Sequence, residues 1–265
     1  MLLNQPSQHL ASRHLSWQTR LSAHLPSQCR ICRAWPAQPF CQTCVTRFAR
    51  PVPRCERCAL PLFASVSVPE GRAVEQVVCG ACLQHPPPLA VCLAAVSYVW
   101  PWASCVLQFK FGGQPALATA LGTLLRSAPW VEKQLDLCDL VVPVPLSDQR
   151  LRWRGFNQAQ LLAQVLTPQK THPDLLLRIR NTTTQSNLPR AERLRNMAGA
   201  FAMQPLRAHA VQGQRVLLVD DVMTSGASLH AAAHALLQAG AAQVGALVVA
   251  RTASPAAAQD KAGHV

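Results

Sequence analysis

The sequence is poor in acidic residues. Its 265 residues include 12 Asp and Glu against 25 Lys and Arg, which gives a formal net charge of +13. Among the basic residues, 21 are Arg and only 4 are Lys. Arg presents a planar fork of donors that matches phosphate oxygens. The charge balance therefore favours a nucleic acid or a polyphosphate as a partner.

Long apolar runs are also missing. No stretch reaches the roughly 18 apolar residues that a membrane-spanning helix requires, so we expect no membrane insertion. Residues 1–28 lack the apolar core of a secretory signal and contain no Asp or Glu. An organellar transit peptide has this composition, but a basic disordered head is the simpler interpretation of the segment.

Several common catalytic signatures are absent. The chain has no GxxxxGK[ST] loop and no GxGxxG turn, which argues against a P-loop nucleotidase and a dinucleotide-binding domain. It has no HExxH motif, and no Ser/His/Asp or Cys/His arrangement indicates a catalytic nucleophile. A phosphate site or a metal site has to be sought in other patterns.

Cysteine, in contrast, is abundant. Eight of the 11 Cys form four Cys-x-x-Cys pairs, and two such pairs complete a tetrahedral Cys₄ site, the preferred structural site for zinc. We predict two structural Zn²⁺ sites in a double zinc ribbon over residues 29–85. The ligands are Cys29, Cys32, Cys41, Cys44, Cys55, Cys58, Cys79 and Cys82.

The pairing of these cysteines has two solutions. The simplest joins consecutive pairs, 29/32 with 41/44 and 55/58 with 79/82, while a cross-braced arrangement also fits the spacing. Cysteines at metal-ligand spacing indicate zinc rather than disulfides, and hence a reducing compartment.

The rest of the chain is organised around residues 216–228, Val-Leu-Leu-Val-Asp-Asp-Val-Met-Thr-Ser-Gly-Ala-Ser. A continuous apolar run, typical of a buried parallel strand, precedes two acids, a small hydroxylated loop and a helix. The free backbone N–H groups and the helix dipole favour an anion, which Gly226 allows to approach closely. Asp220 and Asp221, at the carboxyl end of the strand, suit sugar hydroxyls or hydrated Mg²⁺. We therefore predict a bound ribose phosphate with Mg²⁺.

Apolar strands alternate with helices beyond Pro86–Pro88, which is typical of an α/β domain with a mainly parallel sheet. We place this domain at residues 89–251 and a disordered tail at 252–265. The predicted strands are 91–99, 139–145, 216–221 and 244–250, and the predicted helices are 103–111, 116–127, one ending near 166, and 229–238.

Two basic segments flank these elements. Arg150, Arg152 and Arg154 follow the second strand, where they either line a diphosphate or lie in a solvent-facing loop. Residues 181–196 form a polar, Arg-rich stretch that enters a helix near Pro189. Such a stretch beside an anion site is suited to act as a lid.

These motifs resemble a known family. The loop at 220–228 is similar to the phosphoribosyl diphosphate (PRPP) loop of type I phosphoribosyltransferases, and residues 29–251 resemble the ComF/GntX family of competence-associated homologues. Ser228 stands where that family more often has Thr, and the hydroxyl is retained. The resemblance also rests on Phe109-Lys110-Phe111-Gly112, Val142-Pro143-Val144-Pro145, Arg154-Gly155-Phe156-Asn157-Gln158, Thr182, Gln185, Arg193, Asn196 and Phe201.

The resemblance implies a type I phosphoribosyltransferase-like sheet, a cytoplasmic bacterial protein and a link to DNA uptake. It implies catalytic roles for Asp220, Asp221, Lys110 and Arg193. The PRPP-binding residues that it implies are Asp220, Asp221, Val222, Met223, Thr224, Ser225, Gly226, Ala227, Ser228, Arg154 and Asn196.

Two functions follow from these patterns. The first is a phosphoribosyltransferase that binds PRPP with Mg²⁺ and transfers, or senses, a phosphoribosyl group. The alternative is a non-catalytic adaptor that binds single-stranded DNA or DNA-processing proteins, with the basic zinc region and residues 178–195 as the contact surface. The sequence shows no run of aromatic residues on which bases could stack, which counts mildly against the adaptor.

Overall fold

The computed structural model describes residues 27–35, 37–62, 77–180 and 190–253. Most of the predicted head and tail, Thr182 and Gln185 lie outside the described residues, as do the side chains at 190, 191, 193 and 194. The chain divides into two compact units, Met1–Arg47 and Phe48–Val265. The predicted boundary between a zinc ribbon at 29–85 and a second domain at 89–251 stays a prediction.

The described residues contain six strands and nine α-helices. The strands are β1 (Val91–Ser97), β2 (Leu140–Pro143), β3 (Leu176–Arg178), β4 (Phe201–Met203), β5 (Arg215–Met223) and β6 (Gln243–Arg251). The helices are α1 (Gln42–Phe48), α2 (Gly80–Gln84), α3 (Trp102–Phe111), α4 (Leu117–Arg126), α5 (Val131–Leu137), α6 (Asp148–Arg154), α7 (Gln158–Leu166), α8 (Arg190–Met197) and α9 (Ala227–Gln238). Two 3-10 turns cover Pro168–Lys170 and Pro205–Val211.

The first unit is small. The antiparallel bridge between Ser27 and Ala37 closes the turn that carries the first cysteine pair. The second pair, Cys41 and Cys44, lies at the start of α1. The buried residues among those described in this unit are Phe40, Cys29 and Cys44, so we expect it to depend on metal for folding.

The second unit is built on a four-stranded sheet with the order β1-β6-β5-β2, in which all neighbours are parallel. Because successive side chains of a strand point to opposite faces, β5 supplies both layers of the core. Val216 and Leu218 belong to the same buried cluster as Ala232 and Leu236 of α9. Helices α4 and α7 pack on each other and on the sheet. The predicted α/β fold with a parallel sheet flanked by helices is confirmed.

The predicted strands and helices agree closely with those observed, although α9 begins two residues earlier than predicted. The antiparallel pair β3 and β4, which flanks the Arg-rich stretch, was not predicted because each strand has three residues. Residues 148–154, where a loop was one of two interpretations, form α6. This helix buries no residue and so lacks apolar periodicity. Its ends are set by the Ser147 side chain, which accepts a hydrogen bond from the Arg150 N–H, and by Gly155 at φ 78°.

Within the described part of the chain, no helix has the length and apolar character needed to cross a bilayer.

Candidate functional site

Residues 220–228, which we predict to bind a phosphate and therefore call the phosphate loop, begin at the carboxyl end of β5 and end in the first turn of α9. The backbone N–H of Asp221 donates to Asp220 Oδ1 at 2.8 Å, which fixes the first carboxylate against the chain. Gly226 adopts φ 84° at the start of α9. The positive φ favours glycine, and a Cβ at that position would also have to displace the Met223 methyl group, since it would lie 2.6 Å from Met223 Cε.

A cavity of about 1060 Å³ opens at this edge of the sheet. It is lined by five cationic side chains and two carboxylates, together with small polar groups and two aromatic rings. The charged residues are Lys110, Arg150, Arg152, Arg154, Arg178, Asp220 and Asp221. The excess of cations in a concave site at the carboxyl ends of parallel strands suits an anionic ligand.

Lys110 and Asp221 form a close ion pair in the cavity. Lys110 Nζ, from the last turn of α3, lies 2.8 Å from Asp221 Oδ1, and both side chains are largely buried. Burial makes such a pair costly to break, because either partner alone would be an uncompensated charge. The pair therefore fixes α3 against β5 and balances one of the two acids.

Asp220 is electrostatically different from its neighbour. Burial of the carboxyl group, and next the negative charge of Asp221, raise the pKa of Asp220 to about 7. A carboxyl group with a raised pKa gains by meeting a cation or a hydroxyl donor when it ionises. This is the electrostatic setting that a sugar hydroxyl or a hydrated metal ion would relieve.

Arg154 is held at the cavity wall by its neighbours. Its Nη1 donates to Gln158 Oε1 at 2.9 Å, and its guanidinium carbon lies 4.8 Å from the centre of the Phe111 ring. Burial lowers its pKa. Its Nε is buried and meets no acceptor among the residues that the structure describes. A bound anion would supply that acceptor.

Two aromatic rings stand at the rim of the same cavity. Phe111 and Trp153 have ring centroids 5.5 Å apart, and they are 51% and 72% exposed. Phe111 ends α3 while Trp153 lies in α6, so the pair forms only when these helices meet. Large exposed aromatic side chains that contact each other beside a binding cavity are candidates for stacking on a planar ligand.

The eight paired cysteines form two groups, and in each the four Sγ atoms lie within 4.8 Å of one another. Consecutive pairs come together, which settles the pairing against the cross-braced alternative. The first cysteine cluster is Cys29, Cys32, Cys41 and Cys44, and the second cysteine cluster is Cys55, Cys58, Cys79 and Cys82.

The chemistry of both clusters fits zinc. Four thiolates at this separation match a closed tetrahedral site and leave no open position for catalysis. Backbone N–H groups already stabilise thiolates, since the Cys41 N–H points to Cys29 Sγ at 3.5 Å and the Cys79 N–H to Cys55 Sγ at 3.3 Å. A hydrogen bond from the Cys58 thiol lowers the pKa of Cys55 to about 4.

The chain is similar to known proteins over most of its length. The model of the phosphoribosyl transferase domain matches residues 135–263. The chain is 34% identical to DNA utilization protein YhgH of Salmonella typhimurium, over 86% of this chain and 98% of that protein. It is 34% identical to Competence protein F of Haemophilus influenzae, over 57% and 69%, and 35% identical to Competence protein ComFC of Bacillus subtilis, over 50% and 52%.

The chain belongs to the ComF family. This ComF protein has a phosphoribosyltransferase-type domain, and its phosphate loop lies within the matched residues.

The structure of the ComF protein brings most of the predicted ligand-binding residues to one place. Asp220, Asp221, Val222, Thr224, Ser228, Lys110 and Arg154 line the cavity. Met223, Ser225, Gly226 and Ala227 are buried and shape the loop from beneath. Asn196 is exposed on α8 and does not line the cavity, and the Arg193 side chain lies outside the described residues. Their proposed contacts with PRPP stay predictions.

Other cavity residues were not predicted to bind the ribose phosphate. Arg178 reaches the cavity from β3, and Ser147 and Trp153 reach it from the start and end of α6. The sequence assigned Arg178 only to the alternative DNA-contact surface at 178–195. Trp153 has no sequence signature, because its partner Phe111 is 42 positions away.

Proposed function

We propose that this ComF-family protein binds PRPP, or a related ribose phosphate, with Mg²⁺ in the cavity at the carboxyl end of β5, and transfers or senses the phosphoribosyl group. The observation that carries the proposal is the placement of two acids directly before a glycine-turned loop at a helix N-terminus, inside a cationic cavity. Each part of that arrangement suits one part of the ligand.

The ribose hydroxyls would meet Asp220 and Asp221, since carboxylates accept hydrogen bonds from vicinal hydroxyls and share them with a hydrated metal. The 5′-phosphate would lie on the backbone N–H groups and hydroxyls of residues 224–228, at the positive end of α9. Bound Mg²⁺ would neutralise part of the diphosphate charge.

The diphosphate would face the cations of the cavity. Lys110 is within the cavity and can exchange part of its contact with Asp221 for a phosphate oxygen. Arg154 offers a buried Nε donor, and Arg178 adds a third charge. In a transfer reaction the bond from ribose C1 to diphosphate breaks, a bond from C1 to the acceptor forms, and the acceptor loses a proton. These cations would stabilise the leaving diphosphate.

Calorimetric titration of the zinc-loaded protein with PRPP and Mg²⁺ tests this proposal. We expect binding in the wild type and its loss in an Asp220→Asn/Asp221→Asn double variant. The matched control is Asp174→Asn, which removes an exposed carboxylate that pairs with Arg207 outside the cavity. A folded, zinc-loaded wild type that fails to bind PRPP overturns the proposal.

A second candidate function, binding of single-stranded DNA, is favoured by the exposed aromatic pair. Stacking of a base on an aromatic ring contributes roughly 1–3 kcal/mol and tolerates any sequence. Phe111 and Trp153 offer such a surface, and Arg150 and Arg152 beside them can contact the phosphates. The relatives named for competence and DNA utilization are consistent with a nucleic-acid ligand.

Fluorescence anisotropy with a labelled oligothymidylate tests this candidate. We expect the Trp153→Ala substitution to weaken binding by about tenfold, the equivalent of one stacked base. Trp130→Ala is the matched control, because Trp130 is similarly exposed beside a lysine but lies outside the cavity. Equal effects of the two substitutions, or affinity that is indifferent to salt, would exclude this surface as the DNA site.

A further inference from the structure

The buried side chain of Arg251, the last residue of β6, spans two features that are far apart in sequence. Its Nε donates a hydrogen bond to the carbonyl oxygen of Cys58 at 2.8 Å. Its Nη1 donates to the carbonyl oxygens of Thr224 at 2.7 Å and Met223 at 3.1 Å. One guanidinium group therefore joins the second cysteine cluster to the phosphate loop.

A second path of contacts links the same two regions. The backbone N–H of Cys92, in β1, donates to the carbonyl oxygen of Glu56 at 2.6 Å. Glu56 lies in the turn between Cys55 and Cys58 of the second cysteine cluster. Cys92 Sγ lies 3.5 Å from Met223 Sδ. The methyl group of Met223 fills the space beside Gly226. Gly226 in the phosphate loop therefore packs on the Met223 side chain, which contacts Cys92 of β1. Cys92 is in turn hydrogen-bonded to Glu56, between two ligands of the second cysteine cluster.

The second cysteine cluster is built into the core of the larger unit. Its buried members Cys55, Cys58 and Cys82 belong to the same hydrophobic cluster as Met223 and Ala227. The second cysteine cluster is therefore not an independent module, because its cysteines are part of this core. The cluster and the core beneath the phosphate loop are therefore parts of one packed interior.

Two arginines hold consecutive carbonyl groups of the cluster's first turn. Arg54 Nη1 donates to the carbonyl oxygen of Ala59 at 3.1 Å, and its Nη2 donates to Ser97 Oγ at 3.1 Å. Arg251 holds the adjacent carbonyl of Cys58. Zn²⁺ with four thiolates carries a net charge of about −2, which would offset the charges of the buried Arg251 and the half-buried Arg54.

We infer that the second cysteine cluster, when it holds zinc, positions the phosphate loop through Arg251, so that Arg251 is a positioning residue of the ligand site. The first cluster belongs to the other compact unit. The consequence for PRPP affinity rests on the proposed function. The consequence for the order of the loop does not.

The Arg251→Lys variant of the full chain is the central test. A lysine keeps the charge but replaces the two donor nitrogens, Nε and Nη1, with one, and we expect it to hold only one of the two carbonyl oxygens. We expect unchanged zinc content, amide hydrogen exchange about tenfold faster in residues 220–228 without ligand, and PRPP affinity about tenfold weaker, as loss of a charge-assisted hydrogen bond predicts. Arg215→Lys is the matched control, since Arg215 begins β5 and pairs with Asp139 at the far end of the strand.

Cysteine variants test the role of the metal. Cys82→Ser is expected to lose one zinc ion, counted by native mass spectrometry, and to speed exchange in residues 220–228. Cys44→Ser in the first cluster is expected to lose one zinc ion and leave that exchange unchanged. If Cys82→Ser does not fold, the Arg251→Lys comparison decides alone.

Unchanged exchange in residues 220–228 of Arg251→Lys overturns the inference, and so does an equal effect of Cys44→Ser and Cys82→Ser. Faster loop exchange in a protein that binds no PRPP supports the inference while refuting the proposed function. Failure of the inference about Arg251 and failure of the proposed function therefore give different results.

Discussion

At Asp220, the ionised carboxyl group that the proposed function requires lowers the stability of the ligand-free chain. Its pKa is raised, so the folded chain holds a proton that the unfolded chain releases at lower pH. Unfolding then becomes easier as the pH rises from about 4 towards 7, because ionising this carboxyl in the folded state is unfavourable. The same ionised group is the one that a ribose or a metal ion would use. The ligand-free chain is therefore less stable at the pH values at which Asp220 is ionised and able to bind.

Asp220→Asn is expected to stabilise the ligand-free chain at pH 8 by on the order of 1 kcal/mol or more, because it removes the buried charge. The gain should shrink at pH 5, where wild-type Asp220 is largely protonated. Thermal unfolding of both proteins at the two pH values measures this difference. Asp174→Asn, at an exposed position, is the control. A gain of equal size at pH 5 and pH 8 would contradict the assignment of a raised pKa.

At the scale of elements, the link between β5 and α9 depends on the glycine turn. Two constraints coincide at Gly226, a positive φ and the lack of room for a side chain against Met223 Cε and His230 Nε2. The first constraint acts on the backbone alone. The second transmits any substitution into the packing beneath the loop.

Gly226→Ala is expected to destabilise the chain by about 2–4 kcal/mol, the sum of αL strain and a steric clash, and to abolish PRPP binding. Gly213→Ala is the matched control, because Gly213 has φ 69° but no atom within 4 Å of an added Cβ. It should show only the backbone part, about 1 kcal/mol. Urea denaturation gives both values. Equal losses in the two variants would mean that the clash at Gly226 relaxes without cost.

At the scale of the whole molecule, the two cysteine clusters fall in different compact units. Among its described residues the first unit buries only Phe40, Cys29 and Cys44, whereas the second cluster shares the core of the sheet. Loss of metal should therefore have different consequences in the two units. The first would lose its fold, and the second would lose part of the support of its core.

We expect two zinc ions per chain by elemental analysis. A strong chelator should produce two unfolding steps, in which the first unit loses its exchange protection before the second does. Hydrogen exchange followed along residues 27–47 and 77–97 measures the order of these events. Loss of protection at the same chelator concentration in both ranges would show that the two units unfold together.

Several parts of the structure are encoded by local patterns in the sequence. The strand at 216–221, the glycine turn and the four Cys-x-x-Cys pairs are local patterns, in which chemistry and spacing lie within a few positions. They were sufficient for the α/β fold with a parallel sheet and for the two sets of four cysteines that could hold zinc. The short strands β3 and β4 and the helix α6 were beyond reach, because they are too short or too polar to show periodicity.

The sequence by itself determined the fold class and the cysteines that could hold metal, and it predicted the phosphate loop, since each is encoded by residues that are neighbours along the chain. Only the tertiary structure decided that Lys110 pairs with Asp221, that Trp153 meets Phe111, and which cysteine pairs share a site. It also decided that Arg251 reaches Cys58, 193 positions earlier. These contacts form where packing brings distant segments together, and periodicity along one segment carries no record of its partner.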